Sequence, residues 1–135
     1  MKCVFNKDGE ETVFEFAYEN SFICDYYSFI TGSPSTKDII CLEDTLLYVI
    51  TRNTLEKLAN DYAFVARMNS AMNEQLFKKM HQRLKSVLLD DASERYEKLL
   101  EERMDLVTRI PQYLIASYLN IKPETLSRLR RKNLA

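Results

Sequence analysis

The polar residues best suited to binding a partner lie in the last fourteen residues of the chain. Residues 122 to 135 hold five bases and one acid, a net charge of +4, whereas the whole chain carries −1. Helical spacing from Pro123 would place Glu124, Ser127 and Arg128 on one outer face. Arginine can bond guanine bidentately, glutamate can accept a hydrogen bond from cytosine, and serine or lysine can reach phosphate. These residue types therefore suit the base edges and backbone of double-stranded DNA.

A short turn sets this basic segment against an apolar one. Asn120 is the non-glycine residue type that most readily adopts the left-handed conformation of a sharp turn. Pro123 suits the first position of the helix that follows, and Ala116 is small enough for two helices to cross closely. The expected apolar seam consists of Ile115, Leu119, Ile121, Leu126 and Leu129. The pattern predicts a helix-turn-helix whose second helix reads DNA.

The predicted DNA-binding residues all lie on or beside this second helix. They are Lys122, Pro123, Glu124, Ser127, Arg128, Arg130, Arg131 and Lys132. A competing interpretation is a solvated helix end whose cations only complement the helix dipole.

The first 50 residues read as strands and turns. The hairpin signal Asp8-Gly9 divides two β-favouring runs. Apolar residues alternate along the second run, at Val13 and then, after a slip of one position, at Phe14 and Phe16. The runs "DIICL" and "TLLYVI" predict two further strands, and residues 30 to 37 predict a loop.

Helical periodicity begins after these strands. Thr51 suits the N-cap of a short helix to about Ala59, and a long helix is predicted over residues 61 to 89. Its apolar stripe suggests pairing with a second copy, although burial within its own domain is the alternative. The predicted dimerisation residues are Val65, Met68, Met72, Leu76, Met80, Leu84 and Val87.

Two helices are predicted between the long helix and the turn. Asp91 and Glu94 have the spacing of a capping box, which predicts a helix to about Glu102. Ile110-Pro111 should end the preceding stretch and start the helix that leads into the turn.

Composition bounds the remaining possibilities. The chain has 135 residues, 46% hydrophobic and 29% charged, which is a globular balance, and no run of about 18 apolar residues predicts a membrane span. Cys3, Cys24 and Cys41 have neither paired spacing nor a histidine cluster, so buried thiols in a reducing cytoplasm are favoured over a metal or iron–sulfur site. His81, the one histidine, stands among lysines without an evident catalytic partner. Neither an enzyme nor a cofactor is predicted.

The segment "RIPQYLIASYLNIKPETLSRLRRK" resembles the helix-turn-helix of the Crp/Fnr family of bacterial transcription regulators. The resemblance implies an α+β fold, with a partial antiparallel β-roll of the cyclic-nucleotide-binding type at residues 1 to 60. A dimerisation helix at 61 to 89 and a DNA-binding domain at 90 to 135 would follow. In the family, base edges are read from positions that match Pro123, Glu124 and Arg128 here. Proline cannot make the first contact, so the operator should differ from the family's best-known one.

The segment "NSFICDYYSFITGSPSTKDIIC" resembles the family's phosphate-binding cassette. The positions of its Gly-Glu and Arg-Ser/Thr pairs are held by Cys24, Asp25, Ser35 and Thr36. A phosphate would lack its cation at position 35, so cyclic nucleotides are not the expected effector. These four residues either line a pocket for another polar effector or are turn residues only.

The resemblance also sets expectations about partners and extent. It implies DNA, a second copy of the chain, RNA polymerase and a small-molecule effector as partners. It further implies that strands preceding the hairpin in the family are missing here, and that the family's two-stranded wing is short or absent. The rival hypothesis is a sensor or dimerisation module of the same fold that does not bind DNA by itself.

Overall fold

The computed structural model describes residues 1–133 and has a mixed α+β fold. A three-stranded antiparallel sheet is combined with six helices, of which one is long. The elements are β1 (Lys2–Lys7), β2 (Glu10–Phe16), α1 (Tyr26–Thr31), β3 (Lys37–Ile40), α2 (Arg52–Asp61), α3 (Ala63–Leu89), α4 (Ala92–Arg109), α5 (Gln112–Leu119) and α6 (Pro123–Asn133). They form two compact units, one containing residues 1–45 and 91–133 and the other residues 46–90.

The β1–β2 hairpin turns at the predicted dipeptide. Asp8 and Gly9 have φ of 55° and 85°, the positive values that a two-residue hairpin turn needs to match the twist of its strands. The predicted slip is also present, because Val4 pairs with Val13 and Cys3 with Glu15. Residue 14 is therefore an extra residue in a β-bulge. β1 is the central strand, with β2 and β3 on either side.

The prediction that the first 50 residues hold only strands and loops is wrong at α1. Asp25 precedes this short helix, and Gly32 ends it at φ 74° with its N–H bonded to the carbonyl of Ser28. Residues 30 and 31, expected in a loop, are its last two residues. A six-residue helix is too short to show helical periodicity, so the sequence carried little signal for it.

The predicted strand in "TLLYVI" is also wrong. Residues 46–50 have no regular secondary structure, and Leu46, Tyr48 and Val49 are more than four-fifths exposed. A strand requires a neighbour that accepts and donates its backbone hydrogen bonds, and within residues 1–133 no strand pairs with this run. The β-favouring composition of this run was therefore not enough to form a strand.

The unit of residues 46–90 contains α2 and α3. The side chain of Thr51 accepts the N–H of Thr54, which confirms the predicted N-cap, and Tyr62 separates the two helices with extended backbone. The long predicted helix is confirmed as α3, whose 27 residues span about 40 Å at 1.5 Å per residue. Val65 is its one buried residue.

The unit of residues 1–45 and 91–133 joins the sheet to α4, α5 and α6 through one apolar core. Its buried residues come from the hairpin, from α4 and from the last two helices: Val4, Val13, Phe16, Tyr96, Leu99, Leu106, Val107, Leu114, Ile115, Ala116, Leu119 and Leu126. The compact units thus divide the chain differently from the three predicted domains, because the hairpin shares a core with segments about 100 residues later. None of the helices in residues 1–133 has the length and apolar character needed to cross a membrane.

The helix α4 begins as predicted but ends later. Asp91 and Glu94 form the predicted capping box, since each side chain accepts a backbone N–H at the other's position. Non-helical backbone at Arg103 (φ −148°, ψ 52°) interrupts the helix next to its predicted end, and a further helical stretch continues to Arg109. Pro111, expected at the first helical position of α5, occupies its N-cap instead.

Candidate nucleic-acid interface

A tight turn of residues 120–122 connects α5 to α6. Asn120 has φ 54° and ψ 48°, which confirms the predicted left-handed residue. Its N–H bonds to the carbonyl of Ser117, and the N–H of Ile121 bonds to the carbonyl of Ala116 at 3.0 Å. This closure satisfies carbonyls that the end of α5 would otherwise leave unpaired. The direction in which α6 leaves the turn is therefore set by backbone hydrogen bonds.

The predicted apolar seam packs α6 against α5. Ile115, Ala116 and Leu126 are each no more than 1% exposed, and Leu119 is 3% exposed. Ile121 and Leu129 are partly buried against the same core. Burial of Leu126 between the helices orients α6, because it determines which of its faces remains in solvent.

Helix α4 contacts the end of α5, next to the turn, through a hydrogen bond and shared core residues. The Arg95 guanidinium donates from Nε to the carbonyl of Leu119 at 3.0 Å, at the end of α5. Tyr96 and Leu99 of α4 belong to the apolar core that contains α5 and α6. The turn is therefore stabilised by the packing of α4, α5 and α6 against one another.

The outward face of α6 carries the predicted DNA-binding residues. Exposed side chains comprise Lys122, Pro123, Glu124, Ser127, Arg128, Arg131 and Lys132, and Arg130 is half-buried. Within residues 1–132, none of the cations in this set lies within ion-pair distance of a carboxylate. Their charge is therefore available to a partner.

The β1–β2 hairpin is attached to α5 by a contact that sequence reasoning missed. The N–H of Val13 on edge strand β2 donates to Ser117 Oγ at 2.9 Å. Phe16 and Tyr118 place their rings 5.4 Å apart along the same contact. Val13 is 1% exposed, so Ser117 satisfies a backbone donor that water cannot reach. The two residues are 104 positions apart, and no local pattern links them.

The predicted effector residues lie around α1, where three of the four come together. Asp25 Oδ2 accepts from Ser35 Oγ and from the backbone N–H of Thr36, both at 3.1 Å. Cys24 is exposed next to this cluster. Sequence reasoning missed Lys37, whose ammonium contacts Asp25 Oδ1 at 2.9 Å.

Lys37 supplies the cation that the sequence comparison found missing from this cluster, but it is paired with Asp25. A cation is absent at position 35 but present two residues later, where it already pairs with a buried carboxylate. The same ammonium lies 4.4 Å and 5.1 Å from the ring centroids of Phe14 and Phe5. Burial alone would raise the pKa of Asp25, but hydrogen bonds from Lys37, Thr36 and Ser35 lower it to about 2. The donors and acceptors of this cluster thus satisfy each other and connect α1 to β3.

Two arginines of α4 hold the chain segments that follow the strands. Arg109 donates to the carboxylates of Glu19 and Glu43, and hydrogen bonds from Arg109 lower the pKa of Glu19 to about 2. Arg103 stacks on the Tyr18 ring at 3.8 Å and pairs with Asp105. These contacts connect residues 18–19 and 43 to the helix that supports the turn.

Residues 1–133 contain no group of three His, Cys, Asp or Glu side chains placed to hold a metal ion. His81 is exposed on α3.

Comparison of the chain with models of protein families, with curated proteins and with solved structures found no match.

Proposed function

We propose that this protein is a sequence-specific, DNA-binding transcription regulator that acts as a homodimer, of the type found in the Crp/Fnr family. The observation that carries the proposal is the exposed face of α6, with Glu124, Ser127 and Arg128 beside cations that have no carboxylate partner within residues 1–132. This face follows a left-handed turn at Asn120 and is oriented by a buried seam. A helix held this way can enter the major groove as a rigid element, which base recognition requires.

The residues of α6 and its preceding turn are proposed to make two kinds of DNA contact, to base edges and to phosphates. Arg128 and Glu124 can bond base edges, whereas Lys122, Arg130, Arg131 and Lys132 suit phosphates. Phosphate contacts give affinity that falls as salt rises, since each releases condensed counterions. Base contacts give the discrimination between sequences.

Homodimerisation is proposed through α3. Met68, Met80, Leu84 and Val87 are each at least 40% exposed, and Met72 and Leu76 are half-buried. A stripe of this kind on a 27-residue helix suits pairing with a second copy. Two recognition helices would then read half-sites about 34 Å apart. RNA polymerase and an effector other than a cyclic nucleotide are further proposed partners.

Selection from a pool of random duplexes, followed by gel-shift titration, tests the function. A palindromic motif is expected, and Arg128→Ala should weaken its binding by about 1–3 kcal/mol if the arginine bonds a base bidentately. Lys57→Ala is the matched control, because it removes an exposed helical cation of α2 and leaves α6 and the proposed dimerisation helix unchanged. Recovery of no shared motif, with wild type and Arg128→Ala binding alike, would refute the proposal.

A second candidate is an interaction module that does not bind DNA. The exposed apolar run of residues 46–50 favours it, because such surface usually marks a protein contact. Light scattering with and without the random duplex pool separates the two functions. The interaction module predicts no mass added by DNA.

A further inference from the structure

A polar groove opens beside the turn between α5 and α6. Its volume is about 530 Å³, and it is lined by residues of β2, α4, α5, the turn and the first turn of α6. Its lining residues are Thr12, Ala92, Ser117, Asn120, Ile121, Lys122 and Thr125. The hairpin, which the sequence placed in a separate sensor domain, therefore contributes directly to the surface next to α6.

Three side chains of this groove have unused hydrogen-bonding capacity. Within residues 1–132, neither the Thr12 hydroxyl, nor the Asn120 amide, nor the Lys122 ammonium has a hydrogen-bond or ion-pair partner. Thr12 is distinctive in this respect, since every other threonine in that range has its hydroxyl in a hydrogen bond. A hydroxyl, an amide and a cation thus line one cavity without a protein partner.

Two carboxylates beside the groove are already engaged elsewhere, and the exposed Glu124 of α6 is not among the residues that line it. Glu11, the neighbour of Thr12, pairs with Lys2. Asp91, the neighbour of Ala92, accepts the N–H groups of Ser93 and Glu94 in the helix cap. Lys122 is the one cation among the groove residues, and no acid lines the groove. Such a site favours a singly charged anion with several acceptor oxygens.

We infer that this groove binds one phosphodiester of the DNA backbone, held by Lys122, Asn120 and the Thr12 hydroxyl of β2. The inference rests on the proposed DNA-binding function and extends it to the hairpin. A duplex backbone is preferred to a free nucleotide because the groove adjoins the first turn of α6. A phosphate held there would fix the register in which α6 meets the bases. Ser117 contributes indirectly, because its bond to Val13 holds the neighbouring Thr12 against the turn.

Fluorescence anisotropy with the selected duplex tests the site. Thr12→Val should weaken binding about 2- to 10-fold, the range expected for one lost hydrogen bond, while Thr12→Ser should bind like wild type. Lys122→Ala should reduce the slope of log K against log salt by about 0.9, whereas Lys57→Ala, an exposed cation of α2, should not. Unchanged thermal melting of each variant shows that folding is intact.

Duplexes with single neutral methylphosphonate linkages locate the contact. One linkage should weaken wild-type binding yet have no further effect on the Lys122→Ala variant. If wild type selects no motif, the proposed function and this inference both fail. If wild type selects a motif but Thr12→Val equals Thr12→Ser and Lys122→Ala keeps the wild-type slope, the inference is overturned while the function stands.

Discussion

Replacing Ser117 by alanine should loosen the hairpin from α5. The substitution removes the acceptor of the Val13 N–H, and Val13 as a residue is only 1% exposed. A buried donor left without a partner costs about 1–3 kcal/mol. Alanine is the better helix former by about 0.5 kcal/mol, which offsets part of this loss. The free energy of unfolding should therefore fall by about 0.5–2.5 kcal/mol.

Ser127→Ala is the matched control for this experiment. Ser127 lies on the exposed face of α6, so its replacement gains the same helix propensity without losing a buried hydrogen bond. Urea titrations of both variants and wild type give the difference directly, and amide hydrogen exchange of Val13 reports the contact itself. Exchange of Val13 should accelerate in Ser117→Ala alone.

Two results would refute the reasoning. Equal unfolding free energies for Ser117→Ala and Ser127→Ala would show that the bond between Ser117 and Val13 does not stabilise the unit. A Val13 amide that exchanges as fast as a solvent-exposed one in the wild type would show that the hairpin does not dock on α5.

Three further predictions concern the turn, the buried carboxylate and the seam. Asn120→Ala should destabilise the protein by about 1 kcal/mol, since alanine adopts a φ of 54° less readily, whereas Asn120→Gly should be nearly neutral in urea titration. The pKa of Asp25 is lowered to about 2, so its stabilisation is present above the unfolded value near 4 and is lost as pH falls toward 2. Asp25→Asn should therefore flatten the loss of stability over that interval, as measured by urea titration at each pH. Leu126→Ala should cost about 2–5 kcal/mol and Leu88→Ala, 70% exposed, much less, as measured by thermal unfolding.

Local sequence features predicted the elements around the candidate interface well. The Asp8-Gly9 turn, the Asp91 cap and the left-handed Asn120 each depend on residues within a few positions of one another. The exposed face of α6 followed from helical spacing once its start at Pro123 was recognised. Base recognition by that face stays a prediction.

Features that depend on distant residues were missed or misassigned. Strand composition in residues 46–50 predicted a strand, but the sequence could not show that no strand within residues 1–133 pairs with it. The resemblance to the phosphate-binding cassette places the cation at position 35 and not at Lys37, and only the fold shows that the charge of Lys37 is paired with Asp25.

The sequence alone determined the helix caps at Thr51 and Asp91, which face of α6 is polar, and where the hairpin turns. Each of these depends on backbone preferences and hydrogen bonds between near neighbours. Only the tertiary structure showed that the hairpin shares a core with α4, α5 and α6 and that Thr12 and Lys122 line one groove. Such contacts join residues about 100 positions apart, and they form because apolar surface and unpaired backbone groups must be buried together.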